Sequence, residues 1–140
     1  MGAAPSPITV LLIDSDKRDR EYWAQRLTIS SRDYVVLEAD TGASGLAICR
    51  SQQVDCVVTE LDLCDGSGFR VLLDLVPRVR YPDKAVIILS RLNLHALSEL
   101  ARKNGAFAYL VKANLSGDAL DEIIRKAVAV VGSIQKEPSR

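Results

Sequence analysis

Five short apolar runs recur along the 140-residue chain, separated by longer stretches with helical spacing. The runs are ITVLLI (8–13), YVVLEA (34–39), DCVVTEL (55–61), AVIILS (85–90) and FAYLVK (107–112). They are rich in Val and Ile and stay apolar on successive residues. That pattern marks parallel strands covered on both faces, not strands with one wet face. Between them, Phe69, Leu72, Leu73 and Val76 fall at helical intervals, and Leu120, Ile123, Ile124, Ala127, Val128 and Val131 repeat the rule over three turns. Leu94, Leu97, Leu100 and Ala101 do so more briefly, and Trp23 and Leu27 form an i,i+4 pair. Asn104-Gly105 suits a helix end, and Ser116 an N-cap with Asp118 beside it. Five βα units with crossovers of one hand predict an α/β fold, a doubly wound five-stranded parallel sheet.

Composition narrows the function. Eighteen Lys and Arg balance eighteen Asp and Glu, which speaks against a dedicated nucleic-acid binder. No apolar run approaches the roughly 18 residues of a membrane span. Cys49, Cys56 and Cys64 form no CxxC pair, and an odd count supports neither a disulfide framework nor a zinc site. A reduced, cytoplasmic setting is expected. Residues 1–7, MGAAPSP, read as a disordered leader, 8–132 as one domain and 133–140, SIQKEPSR, as a polar tail or linker.

In an open α/β sheet, ligands gather beyond the carboxyl ends of the strands. The polar residues there are Asp14, Ser15 and Asp16 after the first run, Thr59, Glu60 and Asp62 at the third, Ser90 at the fourth and Lys112 at the fifth. Clustered carboxylates repel unless a hard cation or a lysine holds them. A lysine and a hydroxyl can cradle phosphoryl oxygens. The set suits Mg²⁺-assisted phosphoryl transfer onto a carboxylate.

With LLIDSD, DCVVTELDLCDGSG, AVIILS and GAFAYLVK in order, the sequence resembles the response-regulator receiver domain of two-component signalling over about residues 8–132. The resemblance implies a flavodoxin-like (βα)5 fold with strand order 2-1-3-4-5. It places Asp14 and Ser15 at the two acidic positions after the first strand and Glu60 at the phosphoacceptor. Asp62 would offer its backbone carbonyl to a Mg²⁺ ion held by Asp14 and Glu60, with Ser15 and Asp16 nearby. Ser90 matches the switch hydroxyl, Tyr109 the switch aromatic and Lys112 the lysine. The implied partners are a histidine kinase or phosphorelay protein and an output domain, or a second copy through the face of the fourth helix, fifth strand and fifth helix. Nucleic acid and membrane are not among them, and the domain is expected to be a signalling module, not an enzyme.

The sequence departs from that pattern. Glu60 stands where the family has Asp, and its extra methylene moves the carboxylate by about 1.5 Å, out of line for attack. Ser15 replaces a metal carboxylate, so Mg²⁺ binding is expected to be weak or lost. Ala113 follows Lys112 where Pro is usual, and Arg91 is bulkier than the small residue usual there. Arg91 is expected to cover the pocket in part or pair with Glu60. The chain therefore reads as a degenerate receiver in which Glu60 partly replaces a phosphorylated Asp. The alternative is a phosphorylation-independent interaction or dimerisation module.

Plainer readings accompany the individual residues. Asp16 suits a helix N-cap as well as a ligand, and Tyr109 a half-buried strand aromatic as well as a switch. His95 reads as a surface histidine, and Cys64 has no basic neighbour to activate it. The run from Asp16 to Glu21 reads as a solvated helix face. No GxGxxG or Walker loop favours nucleotide binding, and Ser90 lacks a base for nucleophilic catalysis.

Overall fold

A computed structural model describes residues 7–135. The expected leader, apart from Pro7, and residues 136–140 of the expected tail lie outside the described residues. Five parallel strands form the sheet: β1 (Ile8–Ile13), β2 (Tyr34–Ala39), β3 (Cys56–Thr59), β4 (Ala85–Ser90) and β5 (Ala108–Val111). Their order is β2-β1-β3-β4-β5, the doubly wound arrangement expected. The helices are α1 (Lys17–Ser30), α2 (Gly42–Ser51), α3 (Gly68–Leu75), α4 (His95–Lys103) and α5 (Gly117–Gln135).

The period of two along each strand divides the core into two layers. Leu11, Ile13, Val57, Val86 and Ile88 pack with residues of α2, α3 and α4. Val10, Leu12, Cys56, Val58, Ile87 and Leu89 pack with Trp23 and Leu27 of α1 and with Leu120, Ile124, Ala127 and Val131 of α5. Covering both faces is what makes the apolar runs continuous. The three cysteines are free and lie at three depths: Cys64 exposed, Cys49 half-buried and Cys56 fully buried. Burial pushes the Cys49 and Cys56 thiols up from their ordinary range.

Several local expectations hold. Gly105 follows α4 at φ +101°, and a Cβ there would lie 2.7 Å from Val76 Cγ1. Ser116 Oγ accepts from the Ala119 N–H at 3.1 Å, capping α5. Four details differ. The third strand ends at Thr59, not Leu61, because the chain leaves the sheet at Glu60. It then turns through a small antiparallel hairpin pairing Asp62 with Ser67 and Leu63 with Gly66. In α3, Leu72, the C-cap Val76 and in part Phe69 face the core as expected, but Leu73 is exposed and Val71 and Leu75 join the buried face. In α4, Leu94 and Leu100 are exposed and Ala101 is the buried residue. The last helix runs to Gln135, three residues past the expected boundary, where the Gln135 side-chain N–H donates to the Asp83 carbonyl at 2.6 Å.

Candidate functional site

The sheet ladder brings three strand ends to one level. The Asp14 N–H donates to Ala39 O at 3.0 Å, and the Glu60 N–H to Ile13 O at 2.8 Å, so residues 14 and 60 leave the sheet side by side. Lys112 follows β5 directly, in a short 3₁₀ turn spanning Lys112–Asn114. Its Nζ lies 2.7 Å from Asp14 Oδ2, 2.7 Å from Glu60 Oε2 and 2.8 Å from Asp19 Oδ2. The side chains of Lys112, Asp14 and Glu60 are only 9%, 10% and 7% exposed. One ammonium has three N–H donors, and here each finds a carboxylate.

The remaining oxygens are also engaged. Asp14 Oδ1 accepts from the Asp16 N–H at 2.9 Å, and Glu60 Oε1 from the Leu61 N–H at 2.7 Å. The Arg20 guanidinium donates to the Asp14 carbonyl at 2.7 Å and pairs with Glu38 at 3.0 Å. Close approach below Glu60 requires glycine at position 68: its N–H donates to Leu61 O at 2.7 Å, and a Cβ would collide with the Glu60 carbonyl oxygen. Burial pulls the Lys112 ammonium down, but its hydrogen bonds to Asp14, Asp19 and Glu60 outweigh this and hold it above the usual lysine range. Partial burial raises Asp19, yet the hydrogen bonds from Lys112 and Arg91 bring it below the usual carboxylate range.

A cleft of about 190 Å³ over this cluster is lined by Asp14, Asp16, Glu60, Asp62, Ser90, Arg91, Leu92 and Lys112. Most of the residues picked out at the strand ends thus share one hollow. Ser90 Oγ accepts from the Leu92 N–H at 3.1 Å, and the Tyr109 hydroxyl donates to Leu92 O at 2.8 Å. Tyr109 is buried beside β4. Asp16 is the N-cap of α1, accepting from the Asp19 N–H at 3.1 Å. Asp62 is exposed on the hairpin.

Three placements correct the sequence reading. Ser15 does not face the cluster: its hydroxyl donates to Asp40 O at 2.6 Å and accepts from the Cys64 N–H at 2.9 Å, clipping the β2–α2 loop to the hairpin. Arg91 pairs with Asp16 and Asp19, not with Glu60. Glu60 already has Lys112, and reaching it would strip a guanidinium that stays hydrated at the surface. The charged run 16–21 is only partly a solvated face, since Asp19 and Arg20 turn inward to serve the site. Asp19 is the residue sequence reasoning missed. An N-cap at Asp16 places Asp19 at N3, in the turn that overhangs the strand ends, and that spacing was the available signal.

The pattern of the family described as response regulator receiver domain matches residues 10–125. The chain belongs to that family. Receiver domains are signalling modules of two-component response regulators. The transcriptional regulatory protein GlrR of Escherichia coli K12 is 30% identical over 122 residues, which is 87% of this chain and 26% of that protein. The photosynthetic apparatus regulatory protein RegA of Cereibacter sphaeroides is 33% identical over 106 residues, 74% of this chain and 54% of RegA. This receiver therefore spans about a quarter to a half of those relatives. A response regulator receiver domain protein from Clostridium thermocellum superposes with a TM-score of 0.80 at 27% identity, covering 91% of this chain and 98% of that one.

Receiver domains typically bind Mg²⁺ at the phosphorylation site. A dication needs convergent oxygens with lone pairs to spare. Here Asp14 Oδ2 and Glu60 Oε2 point at the Lys112 ammonium, and their other oxygens accept backbone N–H groups. Ser15 faces away, and Asp16 is held by Arg91. Among the described residues, no three His, Cys, Asp or Glu side chains converge as a metal site. As arranged, the residues do not fit Mg²⁺, because the two carboxylate oxygens that would face it are turned to the Lys112 ammonium.

Proposed function

We propose that this receiver transmits signals through protein–protein contacts in a phosphorelay-type pathway without being phosphorylated itself. The observation that carries the reading is the 2.7 Å contact between Lys112 Nζ and Glu60 Oε2. An attacking carboxylate oxygen must be free and in line. Glu60 is one methylene too long for the family's geometry, and both of its oxygens are bound. The extra methylene carries the single negative charge of Glu60 outward, toward where a phosphoryl group would sit, and there it pairs with Lys112. Glu60 thus stands in part for the modified residue and holds one state.

In this reading Asp14, Glu60 and Lys112 are the state-setting cluster. Ser90 and Tyr109 occupy the switch positions, and Asp62 and the Mg²⁺ role are lost. The receiver proper begins at residue 8, takes in all of α5 to Gln135, and works in the cytoplasm. Its partners are a histidine kinase or phosphorelay protein, an output domain, or a second copy through the α4–β5–α5 face.

The test is incubation with acetyl phosphate, and separately with a phosphorylated histidine kinase, each with Mg²⁺, followed by intact mass and peptide mapping. No acyl phosphate is expected at Glu60 or Asp62, and a Mg²⁺ titration is expected to leave Trp23 fluorescence unchanged. A stable adduct at either residue overturns the reading.

A further inference from the structure

The signalling reading makes no use of Arg91 or Asp19, yet these two join the buried cluster to the surface. Arg91 is the first residue beyond β4. Its Nη2 lies 2.5 Å from Asp16 Oδ2 and 2.9 Å from Asp19 Oδ2, and its Nε donates to Asp19 Oδ2 at 3.3 Å. That same Asp19 oxygen accepts from Lys112 Nζ at 2.8 Å. An unbroken line of charges therefore runs from Glu60 and Asp14 through Lys112 and Asp19 to Arg91 and Asp16. The next residue, Leu92, is held on both sides of its backbone: its N–H donates to Ser90 Oγ and its carbonyl accepts from Tyr109. The helix that follows, α4, has no side-chain cap at its start. Its entry direction rests on this loop.

We infer that Asp19 and Arg91 form an internal strap that fixes the β4–α4 loop and carries the ionic state of the Lys112 cluster to the start of α4. The inference rests on the reading of the cluster as ion-paired in its working state. Asp19 and Arg91 are positioning residues, acting through Lys112 and through the loop. A lone exposed ion pair contributes little, but here one guanidinium spans two carboxylates and shares one of them with a buried ammonium.

The experiment compares hydrogen exchange and lysine acylation in the full chain, its Arg91→Ala and Asp19→Asn variants, and a Glu21→Gln control. The control breaks the ordinary surface pair between Lys17 and Glu21. In both test variants the Leu92 amide is expected to exchange about fivefold faster, the scale set by an exposed ion-pair network. Lys112 is expected to acylate faster, most in Asp19→Asn. Amides of Val58 and Ile87 in the core strands, and all sites in the control, are expected to stay at wild-type rates. Leu92 exchange unchanged in Arg91→Ala, or a rise shared equally by the core strands, overturns the strap. Phosphoryl transfer to Glu60 in the separate assay overturns the signalling reading, and it does so without altering these exchange rates in the untreated protein.

Discussion

Replacing Lys112 with Met removes the one ammonium that satisfies three carboxylates while keeping most of the side chain's volume. Asp14 and Glu60, at 10% and 7% side-chain exposure, are left buried without a counter-charge, and Asp19, at 30%, is left partly so. Breaking a buried pair from one side costs about 3–5 kcal/mol. The cleft above the cluster admits water, so the lower end applies, about 3 kcal/mol. With a urea slope of about 1.5 kcal/mol/M, the midpoint falls by roughly 2 M at pH 7.

The pH dependence gives a second, independent signature. In the wild type, Lys112 is held above its ordinary range, so its contribution is fully present at neutral and acid pH and is lost only as pH rises past the lysine range. Asp19 is held below its ordinary range, so its contribution is present above about pH 4 and is lost as pH falls through the lowered value. Neither group therefore adds a slope to wild-type stability between pH 7 and about 4.5. In the Met variant three like charges share one space, and binding a proton relieves them, so stability rises as pH falls over the same window. Urea melts by circular dichroism at several pH values measure both effects. A loss below about 1 kcal/mol at pH 7, or a pH profile parallel to the wild type, refutes the account of the cluster.

Ser15→Ala removes the clip between Asp40 O and the Cys64 N–H and is expected to cost about 1 kcal/mol. The Cys64 amide should exchange faster while core amides do not; an unchanged Cys64 rate removes the structural role. Gly68→Ala drives a Cβ into the Glu60 carbonyl and to 3.1 Å from Leu61 Cα, both backbone, which cannot give way as a side chain does. A loss toward the upper end of about 1–3 kcal/mol is expected, with faster Lys112 acylation as Glu60 shifts. Wild-type stability and acylation in that variant would show the approach to be slack.

The strands that were legible to the residue, β1, β2 and β4, are those whose apolar runs end abruptly at a charged or small polar residue. The third run misled because Leu61 is apolar for another reason: it is buried against the α2–α4 layer after the chain has left the sheet. The hairpin that follows has two-residue strands, too short to carry any periodicity. In α3, Phe69, Leu72 and Val76 face inward as the spacing implied, and only Leu73 does not, because Leu72 and Leu73 are adjacent and the neighbouring elements decide which one is buried. Asp14, Glu60 and Lys112 were found because topology brings strand ends together whatever surrounds them. Arg91 was placed at the pocket, where it lines the cleft, but its pairing with Asp19 escaped for a different reason. It joins residues 72 apart in sequence, and the one local signal, Asp19 at the third helical position after the Asp16 cap, does not name the partner.

The three free thiols sit at graded depths, and that gradation makes the chain its own chronometer. An alkylating probe reaches Cys64 at once, reaches Cys49 when the edge of α2 loosens, and reaches Cys56 only when the central strand itself comes apart. The order in which the three sulfurs are modified would time the dismantling of the domain from its rim to its middle, with no label added.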